Sequence, residues 1–365
     1  MKSLLFTVTN DLVYDQRMIR ICTSLQAAGY DVLLVGRQYR NSPPLQQRTF
    51  RQKRLPCFFK KGKLFYAEYN LRIFLYGLLK KFDLICAIDL DTIVPCYVLS
   101  RLKKCKRVYD AHELFCEMKE VRTRPAIYKI WKWIERKTVP RFEYGYTVNS
   151  PIQKILLQEY GVDYAVIRNM PLLRAIHKTR STGHYIIYQG AVNEGRSFET
   201  LIPAFKEIDM PLWIFGDGNF YDEAVRLTQQ CNLQEKVLFK GKLLPEQLRY
   251  ATENALLGIT LFENNGLSNY YSLANRFFDY IHAAVPQVCV AYPVYKELND
   301  QYNVAVLIDD LSPASIACAI NQLLHDNVRM HTLRQHCLGA RQALNWQQEE
   351  IVLRNFYDNL FSGGR

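Results

Sequence analysis

A glycine-rich turn followed by an arginine lies in the second half of the sequence, within YQGAVNEGRSFETLI. Gly190 ends an apolar segment, and Gly195 and Arg196 precede Ser197, which the pattern predicts as a helix N-cap. Free N–H groups at a helix start and a fixed guanidinium suit a phosphate group. The residues also match the phosphate-binding spacing GxxxxGK(S/T), with arginine in place of lysine. A tight turn that binds nothing is the alternative.

Three later segments of this half place glycines or charged residues after predicted strands or on a predicted helix. In FGDG, Gly216 and Gly218 allow the backbone to approach a ligand closely, and a turn that binds nothing is the alternative. In FKG, Gly241 follows a predicted strand. In SLANRFFDY, a helix is predicted from about residue 273 to 283, with Ser272 as its cap and with Arg276 and Asp279 on one face. Such a pair can hold a phosphate and ribose hydroxyls, and a surface ion pair is the alternative.

The first half offers a histidine at the end of an apolar segment. His112 follows KRVYDA, where a predicted strand would leave its sheet, and Asp110 and Glu113 lie beside it. Nearby carboxylates favour the protonated imidazole and raise its pKa. His112 could then donate a hydrogen bond to a hydroxyl or stabilise developing charge, and a structural histidine that bridges backbone groups is the alternative. Three other polar residues also follow apolar segments of this half: Asn10, Asp89 and Asp91.

Short β-rich segments alternate with helical ones along both halves, which predicts two parallel sheets with right-handed crossovers. Ligands of such sheets bind beyond the carboxyl ends of the strands, where the polar residues named above lie. We expect two Rossmann-like domains, 1–172 and 173–341, joined near 172–183. A C-terminal helix within 342–365 should pack back on the first domain.

Composition favours a globular chain in a reducing compartment. Apolar residues make up 49% of the chain and charged residues 22%. The ten cysteines are scattered without a CxxC pair or a nearby histidine group, which indicates free thiols and no structural metal. No run of about 18 apolar residues is present, so no membrane span is expected.

The net charge of +12 is concentrated in the first half. Residues 1–172 hold 30 of the 47 Lys and Arg and 15 of the 35 Asp and Glu, a net charge of +15, whereas the remainder carries −3. This asymmetry indicates an anionic partner for the first half, either nucleic acid or anionic lipid. No recognised nucleic-acid-binding motif is present, so no nucleic-acid partner is expected.

Two basic, aromatic stretches carry much of this charge, at 51–82 and 122–142. A helix through the second would have an apolar side and a basic side, as an interfacial membrane helix does. The apolar side would hold Ile127, Ile130, Trp131 and Ile134, and the basic side Lys129, Lys132, Arg136 and Lys137. An ordinary amphipathic helix packed on the sheet is the alternative.

Taken in order, these segments resemble the retaining glycosyltransferases of family four, which have the GT-B fold. GYDVLLVG after a helix containing DQRMIR is similar to the family's first βαβ unit, and YDAHELF to the strand that delivers an active-site histidine. YQGAVNEGRSFETLI, FGDG, KVLFKGKLLPEQL and SLANRFFDYIHAAVP are similar to its donor-binding half, and NWQQEEIVLRNFYDNL to its terminal crossover helix. The resemblance covers nearly the whole chain and implies an α/β GT-B fold with two Rossmann-like parallel-sheet domains facing a central cleft.

The resemblance also implies roles for individual residues. The catalytic candidates are His112, Arg196 and Arg276. The nucleotide- and donor-binding candidates are Gly190, Arg196, Gly216, Asp217, Lys240, Gly241, Ser272, Arg276 and Asp279. The acceptor-binding candidates are Asn10, Asp15, Arg17, Asp89, Asp91 and Glu113. No metal or other cofactor is expected if the arginines neutralise the departing diphosphate.

The sequence departs from the family at two places. The family commonly has two glutamates eight positions apart near the donor helix, and here Tyr271 and Asp279 occupy those positions. An arginine often follows the first glycine of the donor loop, and here Ala191 does. These departures bear on which donor is bound.

The expected activity is transfer of a sugar from a nucleoside-diphosphate sugar to a hydroxyl of a glycan or lipid-linked acceptor, with retention of configuration. The expected location is the cytoplasm, at the inner face of an anionic membrane. One alternative is a non-catalytic GT-B subunit that binds nucleotide, which the loss of a glutamate at Tyr271 would suit. Another is a nucleotide-sugar epimerase of the same fold. A P-loop phosphotransferase is a third, although no residue that would hold Mg²⁺ accompanies GAVNEGRS.

Overall fold

The computed structural model describes residues 1–176 and 183–362, which fold into two compact units. One unit comprises Met1–Asn169 and the C-terminal segment from Gln348, and the other comprises Met170–Gln347. Sequence analysis places the two junctions at 172/173 and 341/342. Part of the segment expected to join the domains lies outside the described residues.

Each unit contains one sheet in which every strand is parallel to its neighbours. The strands are β1 Ser3–Thr7, β2 Asp31–Gln38, β3 Arg51–Pro56, β4 Leu84–Ile88, β5 Lys106–Ala111, β6 Tyr144–Thr147, β7 Ala165–Val166, β8 Ile186–Gln189, β9 Leu212–Phe215, β10 Val237–Gly241, β11 Leu257–Thr260, β12 Gln287–Val290 and β13 Ala305–Ile308. The first sheet has the order β3-β2-β1-β4-β5-β6-β7, and the second β10-β9-β8-β11-β12-β13. These two parallel-sheet α/β units confirm the predicted fold class.

Helices connect the strands and cover the sheets. They are α1 Gln16–Ala27, α2 Gly62–Leu78, α3 Ile93–Lys103, α4 Lys119–Arg122, α5 Pro125–Thr138, α6 Ser150–Tyr160, α7 Phe198–Ala204, α8 Tyr221–Gln230, α9 Pro245–Glu253, α10 Leu267–Tyr270, α11 Asn275–His282, α12 Pro293–Tyr302, α13 Pro313–His325, α14 Asn327–Ala343 and α15 Trp346–Ser362. Short 3₁₀ turns lie at Leu90–Thr92, Phe115–Glu117 and Val139–Arg141.

The helix predicted within 342–365 is α15, which begins at Trp346, and α14 ends just before it at Ala343. The amide of Asn345 donates to the carbonyls of Arg341 and Gln342, at 3.0 and 2.8 Å, which ends α14 before α15 begins. From Gln348 onward α15 belongs to the first unit. There Tyr357 is fully buried and its ring lies 6.1 Å from that of Tyr30 and 6.4 Å from that of Tyr146.

The basic stretch 51–82 is not a single helix. Its first residues form β3, an edge strand of the first sheet, and only Gly62–Leu78 is helical. Sequence analysis misses β3 because a strand paired on one side only, with four of its six residues Arg, Lys or Gln, has no apolar alternation. It also misses β7, which is two residues long.

The predicted basic face of the second stretch needs one correction. Lys132, expected on the exposed face of the helix that is now α5, has a side chain only 13% exposed. Its ammonium lies 2.8 Å from carboxylate oxygens of both Glu135 and Glu159 and donates to the hydroxyl of Tyr160 at 2.8 Å. Lys132 therefore ties α5 to α6, because two acidic partners hold it inward.

The helix of the NRFFDY segment begins two residues later than predicted, at Asn275, and Ser272 does not cap it. The Ser272 hydroxyl lies 3.5 Å from that of Tyr295, which also accepts the N–H of Ala274 at 2.9 Å. The buried Tyr295 side chain thus organises this helix start from outside the segment.

Candidate active site

Loops at the carboxyl ends of three neighbouring strands, β8, β9 and β10, are bonded to one another through their glycines. The N–H of Gly190 donates to the carbonyl of Phe215 at 3.0 Å, and that of Gly216 to the carbonyl of Gly241 at 2.9 Å. A Cβ on Gly216, whose φ is +157°, would overlap the carbonyl oxygen of Gly190. The two loops can therefore approach this closely only with glycine at position 216.

Arg196 and Arg276 meet at one aromatic ring beside these loops. Each guanidinium carbon lies 4.5 Å from the ring centre of Phe262, which follows β11. A Cβ on Gly190 would lie 3.2 Å from Nη1 of Arg276. The structure thus brings together Gly190 and both predicted arginines, and two cations at one glycine-rich sheet edge form a site suited to a diphosphate.

Arg276 is held rigidly for an arginine. Only 6% of the residue is exposed, and its donors reach the hydroxyl of Tyr188 at 3.3 Å and the carbonyl of Leu261 at 3.2 Å. Its guanidinium also lies 4.6 Å from the ring centre of Tyr188. Fixed cations cost little reorganisation when negative charge grows in a reaction.

Ser197 occupies the predicted N-cap position of α7 but does not cap the helix with its side chain. Its backbone is left-handed, with φ +59° and ψ +27°, whereas a residue that caps a helix start usually has an extended backbone. The hydroxyl is buried and has no hydrogen-bond partner.

Three more predicted donor residues lie at or beside the same sheet edge. Asp217 is exposed, and its carboxylate accepts the N–H of Gly218 at 2.8 Å. Lys240 is exposed with its ammonium 4.5 Å from the ring centre of Trp213. Asp279 accepts a hydrogen bond of 2.8 Å from the side chain of Gln189, the last residue of β8.

In the first unit, His112 follows β5 and lies between two carboxylates. Its Nε2 is 2.9 Å from an oxygen of Asp110, and its Nδ1 is 3.4 Å from one of Asp89. The Asp89 carboxylate also accepts the backbone N–H of His112 at 2.8 Å. About a fifth of the imidazole, 21%, stays exposed. The histidine is therefore fixed in orientation yet accessible at the strand end.

The same contacts set the charge of His112. Burial lowers its pKa, but the carboxylates of Asp110 and Asp89 outweigh burial and raise the pKa to about 9. For Asp110, burial is outweighed in turn by Arg17 and His112, and its pKa falls below the ordinary value. His112 is therefore a cation at neutral pH.

Asp89 and Asp91 lie in the turn after β4, where Asp89 precedes the 3₁₀ turn Leu90–Thr92 and Asp91 lies within it. Burial raises the pKa of Asp89 to about 7. The charge of His112 lowers this pKa, whereas the nearby carboxylates of Glu113 and Asp91 raise it further. Burial likewise raises the pKa of Asp91 to about 6, although Thr9 opposes it by donating a hydrogen bond of 2.8 Å. Glu113 is half-buried beside His112. The structure therefore brings these three predicted acceptor residues together with His112.

The other three predicted acceptor residues are placed differently. Asn10 is exposed and donates to Asp15 at 3.0 Å, while Asp15 caps α1 by accepting the N–H of Met18 at 3.0 Å. Arg17 is 3% exposed and makes a two-pronged ion pair with Asp110, at 2.8 and 3.2 Å. Its other terminal nitrogen, Nη1, donates to the carbonyl of Ile167 at 2.9 Å. These contacts place Arg17 behind His112, as a support for Asp110.

Sequence analysis misses two parts of the site. Phe262 and Tyr188 appear only as apolar strand residues, yet their rings hold the arginines. Asp110 is considered only as a neighbour of His112, whereas it links that histidine to Arg17. A charged residue inside the apolar segment KRVYDA is the available signal, because a buried carboxylate needs a partner.

No group of three or more His, Cys, Asp or Glu side chains within 1–176 and 183–362 is arranged to hold a metal ion. In the same residues, no helix combines the length and the hydropathy needed to cross a bilayer.

Comparisons with known proteins bear on the family and the fold of the chain. Residues 16–170 match the family model described as Glycosyltransferase Family 4, and residues 169–337 match the model described as Glycosyl transferases group 1. No curated protein matches the sequence. The fold is similar to that of sucrose-phosphate synthase from Thermosynechococcus elongatus, at 17% identity and a TM-score of 0.83, with 100% of both chains covered.

Two further solved structures share the fold. HepE of Anabaena, in complex with UDP-glucose, has 12% identity and a TM-score of 0.77, with 99% of this chain and 100% of that chain covered. WaaG, a glycosyltransferase involved in lipopolysaccharide biosynthesis, has 12% identity and a TM-score of 0.72 over the same shares. The two family models together span residues 16–337. The chain therefore belongs to the glycosyltransferases of the GT-B fold, with a family-four first unit and a group-one second unit.

Proposed function

We propose that the protein transfers a sugar from a nucleoside-diphosphate sugar to a hydroxyl of a glycan or lipid-linked acceptor, with retention of configuration. The observation that carries the proposal is the pair of guanidiniums of Arg196 and Arg276 on the ring of Phe262, beside Gly190. Nucleoside diphosphate is the leaving group, and its charge grows as the glycosidic bond breaks. Two fixed cations stabilise that charge.

The other proposed contacts with the donor lie at or beside the same carboxyl edge of the second sheet. We assign the exposed Asp217 and Lys240 to contacts with the nucleoside, and the half-buried Asp279 to the ribose hydroxyls. In the first unit, protonated His112 stabilises negative charge on the donor or donates a hydrogen bond to a sugar hydroxyl. Asp91 and Glu113 accept hydrogen bonds from acceptor hydroxyls, whereas both carboxylate oxygens of Asp89 face His112. The UDP-glucose in the HepE complex supports a nucleotide-sugar donor.

A panel of nucleoside diphosphates tests the donor site. A ligand that binds the folded protein raises its melting temperature by mass action. We expect one nucleoside diphosphate to give the largest shift, and its monophosphate a smaller one, because the arginines contact the terminal phosphates. Equal, negligible shifts for all diphosphates would contradict the assignment.

We also place the protein at an anionic membrane, through an apolar and basic surface of the first unit that we call the helical face. It consists of α2, α3 and α5 with the residues that flank these helices, and α3 packs against both of the others. Its exposed apolar side chains are Phe58, Phe59, Leu64, Leu71, Leu75, Leu78, Leu79, Val94, Val98, Leu102, Ile127, Ile130 and Trp133. Its exposed cations include Lys60, Lys61, Lys63, Lys80, Lys81, Arg101, Lys104, Arg124, Lys129, Arg136 and Lys137.

This combination supports a lipid surface as the partner. Phe58 is 86% exposed, Leu79 84% and Trp133 62%, and large apolar side chains grouped in this way mark an interaction surface. Lysines and arginines around them attract anionic headgroups. An acceptor anchored in that membrane would then meet the enzyme at the inner leaflet, in the cytoplasm.

A further inference from the structure

We propose that Asp89 is a positioning residue whose strained backbone conformation serves to hold His112. The inference rests on the proposed role of His112 in transfer. Asp89 follows β4, and its φ of +52° with ψ of 179° is a combination that glycine adopts readily and other residues avoid. Such conformations persist only where the surroundings enforce them.

The position of Asp89 sets it apart from most residues with this kind of backbone. Six described residues other than glycine have positive φ. Four of them, Lys104, Asn232, Ala284 and Asn303, follow the last residue of a helix within two positions, where a left-handed residue is the ordinary way to end a helix. Asp89 and Ser197 instead lie in turns at the carboxyl edges of the two sheets, next to candidate site residues. Helix termination therefore does not explain Asp89.

The contacts of Asp89 show what its conformation achieves. Its N–H donates to the carbonyl of Asp110 at 2.9 Å, which keeps the turn after β4 bonded to β5. From that turn, one carboxylate oxygen accepts the backbone N–H of His112 at 2.8 Å and the other lies 3.4 Å from Nδ1. One side chain therefore fixes both the main chain and the ring of the histidine.

Asp110 holds the opposite side of the ring. Its carboxylate lies 2.9 Å from Nε2 and is fixed by the buried Arg17. With a carboxylate at each nitrogen, the imidazole cannot rotate without losing an ion pair. Of these two carboxylates, only that of Asp89 also bonds the backbone of His112. A glycine at position 89 would relieve the backbone but leave the main chain and Nδ1 of His112 unsupported, so the aspartate is needed for positioning.

The test separates this role from a purely structural one. Asp89→Gly should melt close to the temperature of the parent, because relief of the backbone strain offsets the lost hydrogen bond and ion pair. Transfer at saturating donor should fall at least tenfold, with the donor KM nearly unchanged. Asp89→Asn should lose transfer similarly. It should also lower the pKa of His112, measured by NMR and assigned by comparison with His112→Ala, because one carboxylate charge is gone. Asn232→Gly, at an exposed left-handed position after α8, is the matched backbone control and should keep full transfer.

The outcomes distinguish this inference from the proposed function. If His112→Ala loses transfer while folded Asp89→Gly and Asp89→Asn stay within twofold of the parent, the positioning role is wrong and the proposed function stands. If His112→Ala itself keeps normal transfer, the role of His112 is wrong. The contact between Asp89 and His112 is tested without any activity measurement. An unchanged pKa of His112 in Asp89→Asn would refute that contact. A melting temperature of Asp89→Gly well below that of the parent would show that Asp89 supports the fold instead.

Discussion

Replacing Arg196 by alanine should weaken nucleoside-diphosphate binding with little effect on the fold. Arg196 is half-buried and rests on one face of Phe262, whereas Arg276 is buried and bonded to Leu261 and Tyr188. Removing Arg276 would leave a buried carbonyl without its donor and lower the free energy of unfolding by about 1–3 kcal/mol. Arg196→Ala is therefore the cleaner perturbation.

The expected change in Kd follows from the loss of the hydrogen bond between Arg196 and the phosphate. A hydrogen bond from a charged donor contributes about 1.5–3 kcal/mol, and each 1.4 kcal/mol is about a tenfold change in Kd. Arg196→Ala should therefore raise the Kd of the preferred nucleoside diphosphate by roughly tenfold to a hundredfold. Affinity for the nucleoside alone should change little, because it has no phosphate to contact.

Isothermal titration calorimetry on the folded variant measures this directly. Arg226→Ala is the matched control, since Arg226 lies in the same unit, is 64% exposed and pairs with Glu223 on the surface of α8. Its Kd should equal that of the parent. A Kd for Arg196→Ala within twofold of the parent, in a protein with an unchanged melting temperature, would refute the placement of the diphosphate.

Three further predictions concern the first unit. His112→Ala should lower turnover by about a hundredfold or more and leave nucleoside-diphosphate affinity intact. Transfer by the parent protein should decline as the pH rises through about 9, because His112 then loses its proton. Charge reversal at Lys129 and Arg136 should abolish sedimentation with anionic liposomes at low salt, because both side chains are exposed cations of the helical face. Arg17→Met should lower the free energy of unfolding, measured in urea, by about 3–5 kcal/mol, because it leaves Asp110 buried without its guanidinium.

Each of these has a contrary outcome. Full turnover in folded His112→Ala would move the reacting centre elsewhere, and a flat pH profile between 7 and 10 would remove the role of the imidazolium. Lys206→Glu with Lys296→Glu, an exposed pair in the second unit, is the control for liposome binding and should sediment like the parent. Equal binding to neutral and anionic vesicles would refute the electrostatic account. An Arg17→Met protein as stable as the parent would show that Asp110 is satisfied in another way.

The strand-end rule explains why part of the site could be predicted from the sequence. Gly190, Gly216 and Gly241 each follow a short apolar segment, and β8, β9 and β10 are neighbours in the sheet, so their loops must meet. The same rule brings Asp89 and His112 together through the adjacent β4 and β5. Local pattern and parallel-sheet topology are sufficient for these contacts.

Contacts that depend on side-chain packing across the sheet could not be predicted in this way. Arg17 and Asp110 are 93 residues apart, and their pairing depends on how α1 lies against β5. Helical periodicity predicts the side of α5 on which Lys132 lies. It does not predict the ion pair between Lys132 and Glu159 of α6. The contact of Ser272 with Tyr295, in place of the predicted helix cap, also depends on side-chain packing between distant parts of the chain.

The central claim is tested most directly by following transfer itself. The preferred nucleoside-diphosphate sugar and the protein are incubated with anionic vesicles that contain lipid-linked saccharide acceptors. The released nucleoside diphosphate and the glycosylated product are both quantified. Our account predicts acceptor-dependent release of nucleoside diphosphate in equal amount to a product whose new linkage keeps the donor's anomeric configuration. Tight nucleotide binding with no release, or an isomerised donor sugar formed without acceptor, would contradict it.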